Sequence, residues 1–247
     1  IDILSLSKKY RKFVYNYLYK KRILKIKYED LDKFKRINCE LFVKSIKNNE
    51  NMEEIIRSED RRIIGVKIGT RIDAHKIPNW IKRVKLGGIL NRRLENLPNC
   101  LEEMNTGYCF NEGLTKLPRG IKRLIMNGDF NKKIDNLPDT IEYLYLGNEF
   151  NQKVDMLPKS LKYLEFSDDS AFDYNLDKLP QSLEFISLGW KYGKIIDSLP
   201  ESLKILEMKD IGCKEGNQIR IDNLPKNIKI LILMNCKVCL LYTSPSP

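Results

Sequence analysis

Leucine-proline or isoleucine-proline pairs recur along this chain at nearly constant spacing, and that spacing constrains the fold more than any other feature. The prolines are Pro78, Pro98, Pro118, Pro138, Pro158, Pro180, Pro200 and Pro225; five of the seven intervals are 20 residues, and the others are 22 and 25. A fixed period of about 20–29 residues marks a solenoid, whose units bury their apolar faces only against their neighbours. A coil of this length leaves no room for a strand, its turns and a full α-helix. The return side is therefore expected to be extended or polyproline-like, entered through the proline.

Counted from each proline, apolar residues fall three, six and eight positions on. In the copy that begins at Pro138 these are Ile141, Leu144 and Leu146. The last two have the period of two of a short strand. Glycine often follows, as at Gly87, Gly107, Gly147 and Gly189, and permits the turn out of the strand. Then comes Phe-Asn at 110–111, 130–131 and 150–151, with Leu90-Asn91 and Phe172-Asp173 as variants. The rings are expected to stack into a core spine, each contributing about 2–3 kcal/mol by area. The asparagines are expected to satisfy backbone groups of the turn. Asp135, Asp155, Asp177, Asp197 and Asp222 recur two places before the next Leu-Pro. An Asx-type turn bond explains them better than a metal column.

The first 49 residues lack proline and glycine and hold 14 Lys/Arg against 5 Asp/Glu, a net +9 of the chain's +11. Their apolar spacing predicts helices, the second over about 30–48, and 51–60 reads as one short amphipathic helix. From Arg62 the period switches, and Ile63, Val66, Ile68 and Gly69 read as a degenerate first coil that covers the open end. The expected architecture is thus α+β. Helices occupy 1–49, a helical linker or cap 50–61, and a β-solenoid with coils of about 20 residues and a concave parallel sheet 62–240. Residues 241–247 fit no copy and read as a non-native or disordered tail. Copies at 167–175 and 209–220 carry insertions, which solenoids place in loops on one face.

Composition narrows function. His75 is the only histidine, which leaves little room for histidine acid/base chemistry, and no phosphate loop, nucleophile elbow or H-E-x-x-H pattern is present. The carboxylate pair Glu102-Glu103 falls on exposed strand positions and reads as solvated. Cys39, Cys100, Cys109, Cys213, Cys236 and Cys239 follow no disulfide framework. Free thiols in a reducing, cytoplasmic compartment are expected. Cys236 and Cys239 form a C-x-x-C without two further ligands at sensible spacing, so no metal and no cofactor is expected. No apolar run reaches the length of a membrane span. The basic first segment suits nucleic acid or an acidic partner. With only two alanines in the chain, a biased composition explains the lysines without a nucleic-acid ligand.

What remains is a surface. Residues between the inward strand positions point to the concave face. Five places after proline they are Arg83, Glu103, Arg123, Tyr143, Tyr163, Phe185, Ile205 and Ile230; seven after, Lys85, Asn105, Ile125, Tyr145, Glu165, Ser187, Glu207 and Ile232. Tyr143, Tyr145, Tyr163 and Phe185 are expected as an exposed aromatic cluster, flanked by Arg83 and Arg123, that binds a protein target.

The Leu-x-x-Leu-x-Leu spacing resembles leucine-rich repeats. The unit opened by Leu-Pro and closed by Gly-x-x-Phe-Asn resembles the FNIP repeat family over about residues 62–235. The period of that family is usually 22, and its Ile-Pro after Phe-Asn is missing here. Residues 1–18 resemble the later part of an F-box, with Lys12-Phe13 in place of its Lys-x-Phe/Trp-like residues; its Leu-Pro-containing first helix is absent. F-boxes precede FNIP arrays in large DNA viruses and protists. The resemblance implies a substrate-recruiting subunit of a cullin-type ubiquitin ligase. Leu4, Leu6 and Phe13 would dock on the ligase adaptor, and the repeats would hold the target. A stand-alone repeat scaffold is the other reading.

Overall fold

The computed structural model describes residues 23–27, 29, 40–46, 49–69, 74–209 and 224–234. Each Leu-Pro begins a turn. The amide three places after each of the eight repeat prolines donates to the proline carbonyl, from Ile81 to Pro78 at 3.0 Å through Ile228 to Pro225 at 3.1 Å. The donors are the apolar residues of the third column, buried from Ile81 to Leu203. One bond therefore closes the turn and drops a core side chain inward. Three to five residues of strand follow, and a second turn runs from the ninth to the twelfth position, as in Phe150 to Gly147 at 3.4 Å.

The strands are β1 (Ile23–Lys27), β2 (Glu40–Ile46), β3 (Ile63–Ile68), β4 (Arg83–Leu86), β5 (Glu103–Asn105), β6 (Arg123–Met126), β7 (Tyr143–Leu146), β8 (Tyr163–Phe166), β9 (Phe185–Leu188), β10 (Ile205–Lys209) and β11 (Ile230–Met234). They form one sheet in sequence order, and all ten neighbouring pairs are parallel. From β4 onward the register follows the repeat, so Arg83, Glu103, Arg123, Tyr143, Tyr163, Phe185, Ile205 and Ile230 stand side by side. The two-residue insertion near 170 is absorbed in the turn after β8. There Ser170 N bonds Ser167 O and Ala171 N bonds Asn148 O, and the register survives.

Phe110, Phe130, Phe150, Phe172 and Tyr192 stack as expected, with centroids 6.3, 6.2, 6.2 and 5.9 Å apart and planes within 19° of parallel. Leu90 occupies the same level in the coil of β4 and is also buried. Burial, first, and then Asp173, Asp177 and Asp197 push the Tyr192 phenol well above its ordinary value.

The asparagines do more than close their own turns. Asn91 Oδ1 accepts the amide of Asn111, Asn111 that of Asn131, and Asn131 that of Asn151, at 2.9, 2.9 and 3.0 Å. Asn151 accepts from Asp173 at 3.2 Å, and Asp173 from Gly193 at 3.1 Å. Each side chain thus satisfies a backbone donor of the next coil, and the ladder holds neighbours in register. Asn131→Leu is expected to leave the amides it serves unpaired and lower stability by about 1–3 kcal/mol in urea unfolding. Asn131→Asp, which keeps the acceptor as Asp173 does, is expected to lower it by less than half as much.

A second ladder was not anticipated. Two places after proline, Cys100, Thr140, Ser182, Ser202 and Asn227 each donate to a carbonyl of the preceding coil. Thr140 Oγ1 reaches Arg119 O and Ile121 O at 2.8 Å, and Ser182 and Ser202 bond Leu161 O and Leu183 O at 2.7 Å. Burial raises the Cys100 thiol. Cys100 and Cys109 are free thiols. The aspartate column lies on the return side, where Asp135, Asp177 and Asp197 are exposed. Among the described residues no group of three or more His, Cys, Asp or Glu is placed to hold a metal.

The first part of the chain departs from expectation. A helix was expected over about 30–48, whereas residues 40–46 are β2; β1 likewise lies inside the segment read as helical. Leu41, Val43 and Ile46 are buried in the common core. Their spacing suits either period, and a neighbouring strand edge selects the extended form for a run rich in Ile, Val and Phe. Among the described residues the sheet therefore extends two strands before Arg62, and β3 is an interior coil. Helix α1 spans Asn49–Ser58, where one was expected over 51–60, with Glu50 in its first turn and Arg57 in its last, as the helix dipole favours. It buries Met52 and Ile55. Lys76 Nζ bonds Glu53 at 2.8 Å and holds that carboxyl below its ordinary value. No helix among the described residues is long and apolar enough to cross a membrane.

Candidate functional site

Alternation along each strand sends the sixth and eighth residues into the core and the fifth and seventh onto the concave face. Parallel strands repeat at about 4.8 Å, so side chains of successive coils on that face stand in direct contact. Large residues in such a row must stack or pair.

They do both. Glu103 lies between Arg83, at 3.9 Å, and Arg123, at 4.0 Å. The guanidinium carbon of Arg123 sits 3.5 Å from the ring centroid of Tyr143. Tyr143 donates its hydroxyl to Glu165 Oε2 at 2.7 Å, across to the other row of β8. Tyr163 tilts against Phe185 with centroids 6.4 Å apart. Burial, first, and then the Glu165 carboxylate raise the Tyr143 phenol far above its ordinary value, so it stays a donor. The face is a connected network from cation to carboxylate to cation to ring to carboxylate.

That network corrects the expectation of an open aromatic cluster. Tyr143 is 8% exposed, Phe185 6% and Arg123 5%. Tyr145, Tyr163 and Arg83 remain half-buried. Contact along the rows covers these rings, and the residues available to a partner are Tyr145 and Tyr163 more than Tyr143 and Phe185. Glu103 is likewise not a solvated carboxylate, since its side chain is 15% exposed between two arginines. Leu4, Leu6 and Phe13, expected to dock a ligase adaptor, lie outside the described residues, as do residues 210–223, which hold most of the second insertion.

Sequence reasoning also missed a buried polar group at the far end. Glu165, Ser187 and Glu207 occupy the seventh position of consecutive coils and are all buried. Lys209 Nζ approaches Glu207 Oε2 at 3.8 Å and bonds Asp168 Oδ1 at 2.5 Å. A buried ammonium needs such partners, because desolvation of a lone charge is prohibitive. Ser187 Oγ has no hydrogen-bond partner among the described residues. The signal was in the seventh column, where Glu, Ser and Glu interrupt a run of apolar and aromatic residues.

One parallel strand per coil, with apolar columns in register, defines a leucine-rich-repeat-like solenoid, a fold typical of binding scaffolds. Two overlapping stretches, residues 110–149 and 130–169, match the model of the FNIP Repeat family. No curated protein matches the chain in sequence. A crystal structure of CroV588, described as a novel circular LRR protein, is similar with a TM-score of 0.60 and 26% identity; the match covers 76% of this chain and 33% of that one. The chain therefore aligns with about a third of that protein's length.

Proposed function

We propose that this repeat protein is a protein-interaction adaptor that holds a protein target on the concave face of its sheet. The observation that carries the reading is the concave row itself. It is prearranged by ion pairs and a ring contact from Arg83 to Tyr143 and by the packing of Tyr163 on Phe185, and it still presents Tyr145 and Tyr163 at its centre. Prearranged side chains lose little entropy on binding, and half-exposed tyrosines are efficient anchors. A Tyr145→Ala/Tyr163→Ala variant is expected to keep its circular dichroism spectrum and to weaken partner capture about tenfold or more. Undiminished capture by the folded variant rejects the concave face as the site.

In its fuller form the reading makes the chain the substrate-recognition subunit of a cullin-type ubiquitin ligase, with Leu4, Leu6 and Phe13 docking on the ligase adaptor. The support is the resemblance of residues 1–18 to the later part of an F-box. A second reading, a stand-alone repeat scaffold with no ubiquitin role, is favoured by β1 and β2, which extend the solenoid into the segment read as helical. Pull-down of the purified ligase adaptor by the full-length gene product separates the two, since only the first predicts capture that Leu6→Ala/Phe13→Ala abolishes.

A further inference from the structure

Nine places after proline the coils carry short residues, Gly87, Gly107, Asn127, Gly147, Ser167 and Gly189, until Lys209 breaks the series. Its ammonium does not turn out to water. It bonds Asp168 Oδ1 at 2.5 Å and lies 3.8 Å from Glu207 Oε2, and the side chain is only 8% exposed. Glu207 belongs to β10, whereas Asp168 lies in the turn after β8, 41 residues before Lys209, so the bond skips a coil. Two strand spacings are about 9–10 Å, a gap that a lysine and an aspartate close only when the lysine is extended. An ammonium held from the coil before β9 and from the coil after it lies over β9 itself.

On that strand Ser187 stands in register with Glu207 and faces the same side. It is wholly buried, and its hydroxyl has no hydrogen-bond partner among the described residues. Burial of an unpaired hydroxyl costs free energy that alanine in the same place would not. Phe185, two residues earlier on the same face, is closed too, while its neighbour Tyr163 is half-buried. Asp168, by contrast, is 56% exposed. The bond over β9 thus has one end in water, where ions screen it and compete for it. Without that carboxylate Lys209 keeps only Glu207, and its flexible stem carries a poorly paired ammonium out to solvent.

We propose that Lys209 and Asp168 form a strap over β9 that closes the far end of the concave face, and that its release uncovers the Ser187 hydroxyl beside Phe185 for a bound polypeptide. A hydroxyl both donates and accepts, so Ser187 can pair with a peptide group of the target once the strap is open. The use of the uncovered surface rests on the concave-face reading; the opening of the strap does not.

The test reads opening without a partner. In the full chain carrying Ser187→Cys, alkylation by iodoacetamide is followed at residue 187 by peptide mass spectrometry, so the native cysteines do not interfere. Asp168→Asn is expected to raise the rate at that residue about tenfold or more, the worth of a hydrogen bond to a charged group. Potassium chloride at about 0.5 M is expected to raise it while Asp168 is present and not in Asp168→Asn. Asp169→Asn, which removes the bond from Trp190 Nε1 in the same turn, is expected to leave it as it was. Cys100, whose thiol donates to Asn79 O and Ile81 O four coils before β9, reports general loosening in the same digests. Where Ser187→Cys does not fold, lysine ammonium NMR of the otherwise native chain takes its place. A slowly exchanging signal that is missing from Lys209→Met is then expected in the native chain and is lost in Asp168→Asn. The proposal is overturned if Asp168→Asn changes neither the rate nor that signal, if Asp169→Asn acts equally, if salt acts equally without Asp168, or if Cys100 accelerates in parallel. Alkylation as expected, with partner capture undiminished in Tyr145→Ala/Tyr163→Ala, keeps the strap and rejects its use by a target on this face.

Discussion

Gly107→Ala is expected to destabilise the array by about 3 kcal/mol or more, or to abolish cooperative unfolding altogether. Gly107 lies just past the end of β5, where one coil passes closest over the backbone of another. A β-carbon there would overlap the carbonyl oxygen of Gly87 and stand 2.8 Å from its carbonyl carbon and 3.2 Å from that of Gly88. These atoms are backbone, so no side chain can swing aside, and the coils of β4 and β5 would have to part. Parting them strains the inter-coil bonds nearby, such as Cys109 N to Gly88 O at 2.8 Å. The same crowding recurs at Gly147, whose β-carbon would lie 2.6 Å from the backbone of Asn127 and Gly128. Gly113→Ala is the control, since a β-carbon there meets nothing within 4 Å. Urea unfolding followed by circular dichroism measures both. A Gly107→Ala variant within about 1 kcal/mol of the control would show that the coils are not in close contact at this level.

The close approach explains why so much of this fold was legible in the sequence. Each coil repeats the contacts of the one before, so every structural requirement appears as a column at fixed spacing. The Leu-Pro turns, the strand positions, the glycine exits and the phenylalanine spine were all readable on that basis. The hydroxyl ladder of Thr140, Ser182 and Ser202 was equally periodic and was missed because polar columns invite no core argument. The first strands were misread for a physical reason. Their interval is irregular, with Leu41 opposite Ile63 and Phe42 opposite Gly65, so a register shift interrupts the period just where proline is absent. The site was half legible. Which residues share the concave face follows from alternation alone. How far they are covered depends on their neighbours in space, such as Arg123 over Tyr143, and the identity of one column does not announce that.

Phe130→Ala is expected to lower stability by about 3–5 kcal/mol, the usual range for truncating a fully buried ring. Phe130 sits in the middle of the spine, between Phe110 at 6.3 Å and 9° and Phe150 at 6.2 Å and 1°. It is entirely buried, so the cavity left behind has no solvent to fill it. The consequence differs from that in a globular core. In a solenoid each unit is stabilised by its two interfaces, and removal of one ring weakens both at once. Unfolding of the variant is therefore expected to lose its single transition, with the coils before and after residue 130 separating. Tyr143 in the coil after that break and Tyr108 in the coil before it should then report different midpoints by site-specific labels. Phe130→Leu distinguishes the cavity from the ring. Leu90 fills the equivalent place in the coil of β4 and is buried there, so leucine is expected to lower stability by less than about 1.5 kcal/mol. Equal losses for alanine and leucine would mean that stacking of the rings, and not the volume they fill, holds successive coils together.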